Sequence, residues 1–381
     1  MEDGGAFFGL WYVFQGMGSV EGLPVSAKKP IDGGSSSALA HSRILLIKPS
    51  SLGDIVHTLP VVSAIKTQWP GSHLTWLVKR QWAELVEQVD GVDRVWTVDP
   101  TVSSWLKEAQ ALRAERFDLA IDLQGLFRSA ILARLSGAPN RIGFANGREG
   151  SPWFYTHRVP VLNLDVHAVD RYLLVAAALG IAPPQKPRFP FKVSKGDQLA
   201  AQELFQRKGS SIDRPWVAIN VGARWPTKRW PLTSFAAVAD LLYESHRDPV
   251  VVIGSAEDRV YVKELRALMQ HPCIDLSGEV PLRCLPALLS KAAVMITNDS
   301  GPMHIAAACG IPVVAMFGPT SETRTGPYGT GHHVLTRQVS CSPCFSRVCR
   351  HDPEMECLER ITPSHVVEAV RPLLAKPIIC R

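Results

Sequence analysis

The sequence lacks any apolar run of the roughly 20 residues that a membrane-spanning helix requires. It has no lysine or arginine before Lys28, and its short early apolar stretch, 6–14, follows the acidic pair Glu2 and Asp3. That is the wrong charge for a secretory signal, which needs a basic start. There is no basic run with interleaved aromatics, so no nucleic-acid partner is expected. No GxGxxG loop follows a strand, which removes the dinucleotide fingerprint, and no paired-carboxylate metal motif stands out. The eight cysteines, met without a secretion signal, point to a reducing compartment and not to a disulfide framework. A formal charge of +6 over 381 residues is modest and suits an anionic substrate or an anionic membrane surface.

What is present reads as two domains. Residues 1–42, with Gly33-Gly34-Ser35-Ser36-Ser37 near their end, read as a flexible appendage, dispensable through residue 38, with Met17 as a later candidate start. From Arg43 onward short apolar runs alternate with helical spacing. Arg43–Lys48, His73–Lys79, Arg94–Val98, Asp118–Leu123 and Arg141–Phe144 read as strands, separated by helices that end with His167–Leu179. The proline-rich stretch after Ala182 reads as a linker. Alternation then restarts with strands at Trp216–Asn220, Pro249–Ile253, Ile274–Leu276, Val294–Thr297 and Val313–Phe317. Such alternation predicts an α/β chain of two doubly wound, Rossmann-like parallel sheets facing a cleft, with ligands beyond the carboxyl ends of the strands. The expected divisions are 43–182, a linker with lead-in helix at 183–214, a second domain at 215–362 and a closing helix at 363–381.

Three strand-end loops carry candidate chemistry. Ser50-Ser51-Leu52-Gly53-Asp54 puts a carboxylate at the first helix N-terminus, where it can take a proton from a hydroxyl or simply cap the helix. The stretch 222–231 offers Lys228 and Thr227 to a diphosphate, held in a loop stiffened by two tryptophans and two prolines; the alternative is a solvated basic loop. Asn298-Asp299-Ser300-Gly301 leads into a small-residue helix carrying His304, and free N–H groups there suit a diphosphate. On its own that turn reads more readily as an ordinary capped strand-to-helix connection, since cap signals are common. Glu257, after another strand, can accept from ribose hydroxyls or a base edge, or serve as a first-turn acid.

Taken in order, Lys48–Pro60, Asp122–Ala130, Lys228–Pro231, Asn298–Ala308 and Phe317–Thr320 resemble the motifs of the family 9 glycosyltransferases, the ADP-heptose:lipopolysaccharide heptosyltransferases. The resemblance covers residues 43–375. Arg148-Glu149-Gly150, Phe154-Tyr155 and 167–171 are similar to the heptosyltransferase I branch. The resemblance implies a GT-B fold, with acceptor on the first domain, nucleotide sugar on the second and the closing helix packed back on the first. It implies inverting heptose transfer from ADP-heptose to Kdo on lipid A. By analogy Asp54 is the base, and Lys228 with Ser300, Gly301 and His304 stabilises departing ADP. Ala223, Arg224, Thr227, Glu257 and Asp299 hold the nucleotide sugar, while Ser51, Gly53, His57, Arg128 and Arg141 serve the acceptor. A peripheral monomer on the cytoplasmic leaflet of the inner membrane is expected, with no cofactor needed for catalysis.

Cys341-x2-Cys344-x4-Cys349-x7-Cys357 could bind a structural zinc or pack a loop as reduced thiols, and the spacing decides neither. Further alternatives are a family 9 enzyme adding the second heptose or using another nucleotide sugar, a nucleotide-sugar-binding module without turnover, and a GT-B-like epimerase. The presence of both Asp54 and Lys228 speaks against a module without turnover. An epimerase would leave Arg128 and Arg141 without purpose.

Overall fold

The structure, a computed structural model, describes residues 39–99, 102–246 and 249–374. Its first half holds β1 (Arg43–Ile47), β2 (His73–Lys79), β3 (Arg94–Val98), β4 (Leu119–Asp122), β5 (Asn140–Phe144) and β6 (His157–Val159). Its second half holds β7 (Val217–Asn220), β8 (Val250–Ile253), β9 (Ile274–Asp275), β10 (Val294–Asn298), β11 (Val313–Met316) and β12 (His333–Leu335). Helices of eight or more residues are α1 (Leu52–Gln68), α2 (Val102–Ala114), α3 (Phe127–Leu135), α4 (Ala168–Ala178), α5 (Lys195–Arg207), α6 (Leu232–His246), α7 (Arg259–Leu268), α8 (Gly301–Ala308) and α9 (Pro363–Leu374).

Both sheets are parallel and six-stranded, ordered β3-β2-β1-β4-β5-β6 and β12-β11-β10-β7-β8-β9. Each puts its first strand beside its fourth, so the order reverses there and a crevice opens at the carboxyl edge. This is the two-sheet α/β architecture of a GT-B fold. The apolar runs are long enough only for strands covered on both faces: Ile44 to Ile47 are all fully buried. In register, Ile47 stands level with Leu77 and Asp122, and Asn220 with Thr297 and Ile253. The strand ends are therefore flush, and the loops carrying Asp54 and Asp299 leave their sheets at the carboxyl edges.

One apolar core runs through facing parts of both halves, from Ile44 and Leu59 to Met303 and Phe317. Helix α1 lies inside it, packed on α4 and α8, which is why it is buried nearly all round in its first four turns. Helix α4 ends as its sequence predicts, with Gly180 at φ 80°.

Three features differ from expectation. Strands β6 and β12, each three residues at a sheet edge, have too little pattern to be seen in sequence. Residues 39–42, expected in the appendage, pack on the first half: the Ser42 carbonyl accepts from the His73 amide at 2.9 Å, and Leu39 lies against the core. The rest of that appendage, 1–38, is outside the described residues. Finally, α9 does not pack back on the first half. Val366, Val367, Val370 and Leu373 are buried in the second half's own core against α6 and β10–β12. The amphipathic face of α9 finds an apolar surface next to its own sheet; residues 375–381 are outside the described ones.

The linker runs along the first half, with the Asp90 amide donating to the Pro190 carbonyl at 2.7 Å. Asp197 at the start of α5 then ties the halves together, accepting from Gln88 at 2.9 Å and from Arg283 at 3.0 Å.

Candidate active site

The first half supplies a fixed carboxylate. Ser51 is the N-cap of α1, and both its amide (3.0 Å) and its hydroxyl (2.8 Å) donate to Asp54 Oδ2. Asp54 is thus the third helical residue of a capping box and not the cap itself. Its Oδ1 accepts from the Tyr172 hydroxyl of α4 at 2.8 Å and lies 3.7 Å from Lys48 Nζ. Burial alone would raise the Asp54 pKa. Lys48, His57 and the Ser51 hydrogen bonds outweigh it and hold the carboxyl well below the usual range. Lys48, directly after β1, is itself buried and donates to the Leu123 carbonyl at 3.0 Å. Desolvation works against its charge, but Asp54 and Tyr172 more than offset this and raise its pKa. An ionised carboxylate is the result, oriented from both sides.

The second half supplies the opposite charge. Lys228 Nζ sits 2.6 Å from Asp299 Oδ2, with side chains only 15% and 6% exposed, and 4.7 Å over the Trp225 ring. Thr320 donates to the same carboxylate oxygen at 2.6 Å. Beneath them a polar network locks the loop: Asn220 Nδ2 donates to Ser300 Oγ (3.0 Å) and Thr297 Oγ1 (3.1 Å), and Asn298 bridges the Val221 carbonyl and the Trp230 amide. Ser300 is the N-cap of α8 and Gly301 its first residue. An ammonium has three donors, so Lys228 can keep Asp299 and still face an anion beside that helix end.

The two helix starts meet. A Cβ on Gly53 would lie 2.5 Å from His304 Cδ2, and one on Gly301 would lie 2.5 Å from Leu52 Cδ2. Only glycine at both positions lets α1 and α8 approach this closely. His57 Nε2 and His304 Nδ1 share a hydrogen bond at 3.0 Å across the junction, and His167 Nε2 contacts the Gly326 carbonyl at 2.9 Å. Burial, with its two histidine neighbours, drives His57 well below its ordinary pKa. Burial likewise lowers His304 to about 4, where Asp299 and Asp54 pull upward and Lys228 downward. His304 therefore feels the charge of both the carboxylate and the ammonium, and all three imidazoles are neutral near pH 7.

The remaining sequence candidates divide. Arg224 and Glu257 are exposed on second-half loops at the carboxyl edge, after β7 and β8. The Ala223 carbonyl accepts from Arg229 Nη2 at 3.0 Å. The Thr227 hydroxyl donates to the Ser346 carbonyl at 2.8 Å, which ties the 341–349 loop down. Arg128 is exposed at the start of α3. Arg141 is occupied: Nε donates to the Phe154 carbonyl (2.8 Å) and Nη1 to those of Ala138 (2.7 Å) and Pro139 (3.4 Å), so it braces loops. His57, expected on the acceptor, spends Nε2 on His304. Its buried Nδ1 has no protein partner.

Cys341, Cys344, Cys349 and Cys357 line one small pocket with His351 and Glu356. Burial and the three neighbouring thiols push the Cys357 thiol up to about 11. Yet among the described residues no three His, Cys, Asp or Glu side chains gather closely enough to hold a metal ion.

Sequence reasoning gave no site role to Lys48, Tyr172, Asn298, Thr320 or His167, although all but Tyr172 lie in the motifs quoted for the resemblance. Lys48 stands next to the Pro49–Asp54 turn, the one local signal available. Asn298 directly precedes Asp299, while Tyr172, Thr320 and His167 reach the site from other parts of the chain.

The model of glycosyltransferase family 9 (heptosyltransferase) matches residues 105–354. Lipopolysaccharide heptosyltransferase 1 of Pseudomonas aeruginosa is 29% identical over 369 residues, 88% of this chain and 99% of that protein. Lipopolysaccharide heptosyltransferase 2 of Escherichia coli is 28% identical over 359 residues, 87% of this chain and 98% of that protein. Among solved structures, a family 9 glycosyl transferase from Veillonella parvula aligns with a TM-score of 0.76 at 26% identity, covering 88% of this chain and 98% of that one. The E. coli ADP-heptose lps heptosyltransferase II aligns with a TM-score of 0.71 at 27% identity, covering 87% and 98%. A fixed carboxylate on one Rossmann-like half, an ammonium beside a helix N-terminus on the other, and these matches lead to one assignment: the chain belongs to glycosyltransferase family 9 (heptosyltransferase) and is a glycosyltransferase.

Proposed function

We propose that this enzyme transfers L-glycero-D-manno-heptose from ADP-heptose to a Kdo sugar on lipid A, with inversion at the anomeric carbon, as a peripheral monomer on the cytoplasmic leaflet of the inner membrane. The observation that carries the chemistry is the meeting of α1 and α8 through Gly53 and His304, with Asp54 on one side and Lys228 on the other. The printed names of the relatives supply the sugar and the lipopolysaccharide core.

The acceptor hydroxyl enters from the first half and gives its proton to Asp54. Its oxygen bonds to the anomeric carbon as the bond to the diphosphate oxygen breaks, and that electron pair leaves with ADP. Lys228 and the α8 amides meet the charge that develops there, the kind of preorganised stabilisation worth about 3–4 kcal/mol per donor. Lys228 and the amides supply that charge in this scheme without a metal. Ser51, Lys48 and Tyr172 keep Asp54 ionised and aimed.

A second reading, addition of the second heptose, draws support from identities of 29% and 28% to heptosyltransferases 1 and 2. ADP release from ADP-heptose decides between them. Release with Kdo2-lipid A, slowed at least about 10²-fold in Asp54→Ala with donor binding intact, supports the first reading and the base. Release only with an already heptosylated acceptor supports the second. Full turnover in Asp54→Ala would overturn the base assignment.

A further inference from the structure

Among the described residues, the first half exposes four large apolar side chains: Phe127 (42% exposed), Trp153 (83%), Leu162 (73%) and Leu164 (49%). All four lie in segments that follow β4, β5 or β6, at the carboxyl edge of the sheet where Asp54 follows β1. The placement is one-sided, and it is built. The short helical turn Ser151–Phe154 packs on α3, and the Phe127 and Phe154 rings meet edge to face at 5.5 Å. The Arg148 amide donates to the Gly125 carbonyl at 2.8 Å, and the Phe127 amide to Glu149 Oε2 at 3.3 Å, joining the two loops into one surface. Gly150, at φ 74°, starts the turn that presents Trp153 outward.

The exposed charges on the segments that carry this ridge are mainly positive. Arg128, Arg148 and Arg158 are exposed, against Glu149 and an Asp165 already paired with Arg324 at 2.7 Å. An exposed tryptophan among arginines suits the bilayer interface, where the indole sits at headgroup depth and guanidinium groups meet anionic headgroups. No described helix is long and apolar enough to cross a membrane, so contact would be through such a surface.

We propose that the Phe127–Trp153 ridge, with Leu162 and Leu164 beside it, is the surface by which the enzyme docks on the anionic lipid leaflet, setting the Asp54 side of the cleft toward a lipid-anchored acceptor. The docking rests on the peripheral location proposed above, and the orientation on the proposed acceptor. The ridge enters the interface shallowly, and the arginines add an attraction that salt screens.

The test is flotation of the full chain with acceptor-free vesicles of phosphatidylethanolamine and phosphatidylglycerol, against phosphatidylcholine alone. Wild type should bind the anionic vesicles, less so in high salt. Phe127→Ser/Trp153→Ser should bind at least about tenfold more weakly. Brominated acyl chains should quench wild-type fluorescence more than that of Trp153→Phe. Transfer to a deacylated, water-soluble acceptor should be unchanged in the double variant, while transfer to acceptor embedded in vesicles falls. Equal vesicle binding by wild type and double variant, or equal quenching in Trp153→Phe, would overturn the proposal. A dimer in sedimentation that the double variant dissolves, without vesicle binding, would assign the ridge to a second copy instead. Failure of wild type to use the soluble acceptor would count against the proposed reaction and leave the docking result standing.

Discussion

The Lys228–Asp299 pair is both a buried ion pair and the proposed anion site, and the two roles can be separated. At 2.6 Å and an effective dielectric of about 20, the gross attraction is about 6 kcal/mol, most of it offset by desolvation of the two groups. Lys228→Met keeps the length of the side chain but leaves the Asp299 carboxylate, 6% exposed, without its cation. Removing one partner of a buried pair costs about 3–5 kcal/mol; the Thr320 hydrogen bond should hold the loss near 3. Lys228→Met/Asp299→Asn removes the stranded charge, keeps an oxygen for Thr320, and should recover most of that stability. It should not recover catalysis: ADP release stays about 10²–10³-fold below wild type, because no ammonium faces the leaving group. Urea unfolding followed by far-ultraviolet circular dichroism reads the first quantity, and acceptor-dependent ADP release the second. An unfolding midpoint unchanged in Lys228→Met would refute the buried-pair reasoning. Transfer restored in the double variant would refute the leaving-group role.

Gly53→Ala should push the His304 ring away from the α1 terminus, at about 1–3 kcal/mol of overpacking, and slow transfer roughly tenfold or more by parting the two helix starts. Gly196→Ala, whose Cβ would meet only Ser194 Oγ at 3.6 Å, is the control that should leave both unchanged. Acid should weaken the fold through the junction histidines. Their folded pKa values lie below the unfolded value, so the unfolded chain binds more protons; for His304 stability is lost as pH falls from 6.5 toward about 4. His304→Gln should flatten that part of the stability profile, as measured by melting temperature against pH; an unchanged profile would remove His304 from the cause.

Strand-by-strand, the fold was legible because each buried strand is a continuous apolar run and each helix carries its own period, as in Arg43–Ile47 followed by Ile55, Leu59, Val62 and Ile65. The loops with Asp54, Lys228 and Asp299 were legible because strand-to-helix turns concentrate helix-start groups and charge. The three-residue edge strands β6 and β12 were not, since so few residues hold no period.

By itself the sequence determined two α/β units, the succession of strands and helices in each, and the residue types at the strand ends. Only the tertiary structure decided which of those residues meet. It set His57 against His304, spent Arg141 and Thr227 on backbone carbonyls, brought Tyr172 and Lys48 to Asp54, and laid α9 on the second half. The reason is range. Propensity and burial period act over a few residues along the chain, whereas these contacts depend on how two whole sheets pack, with glycine at 53 and 301 setting the distance between them.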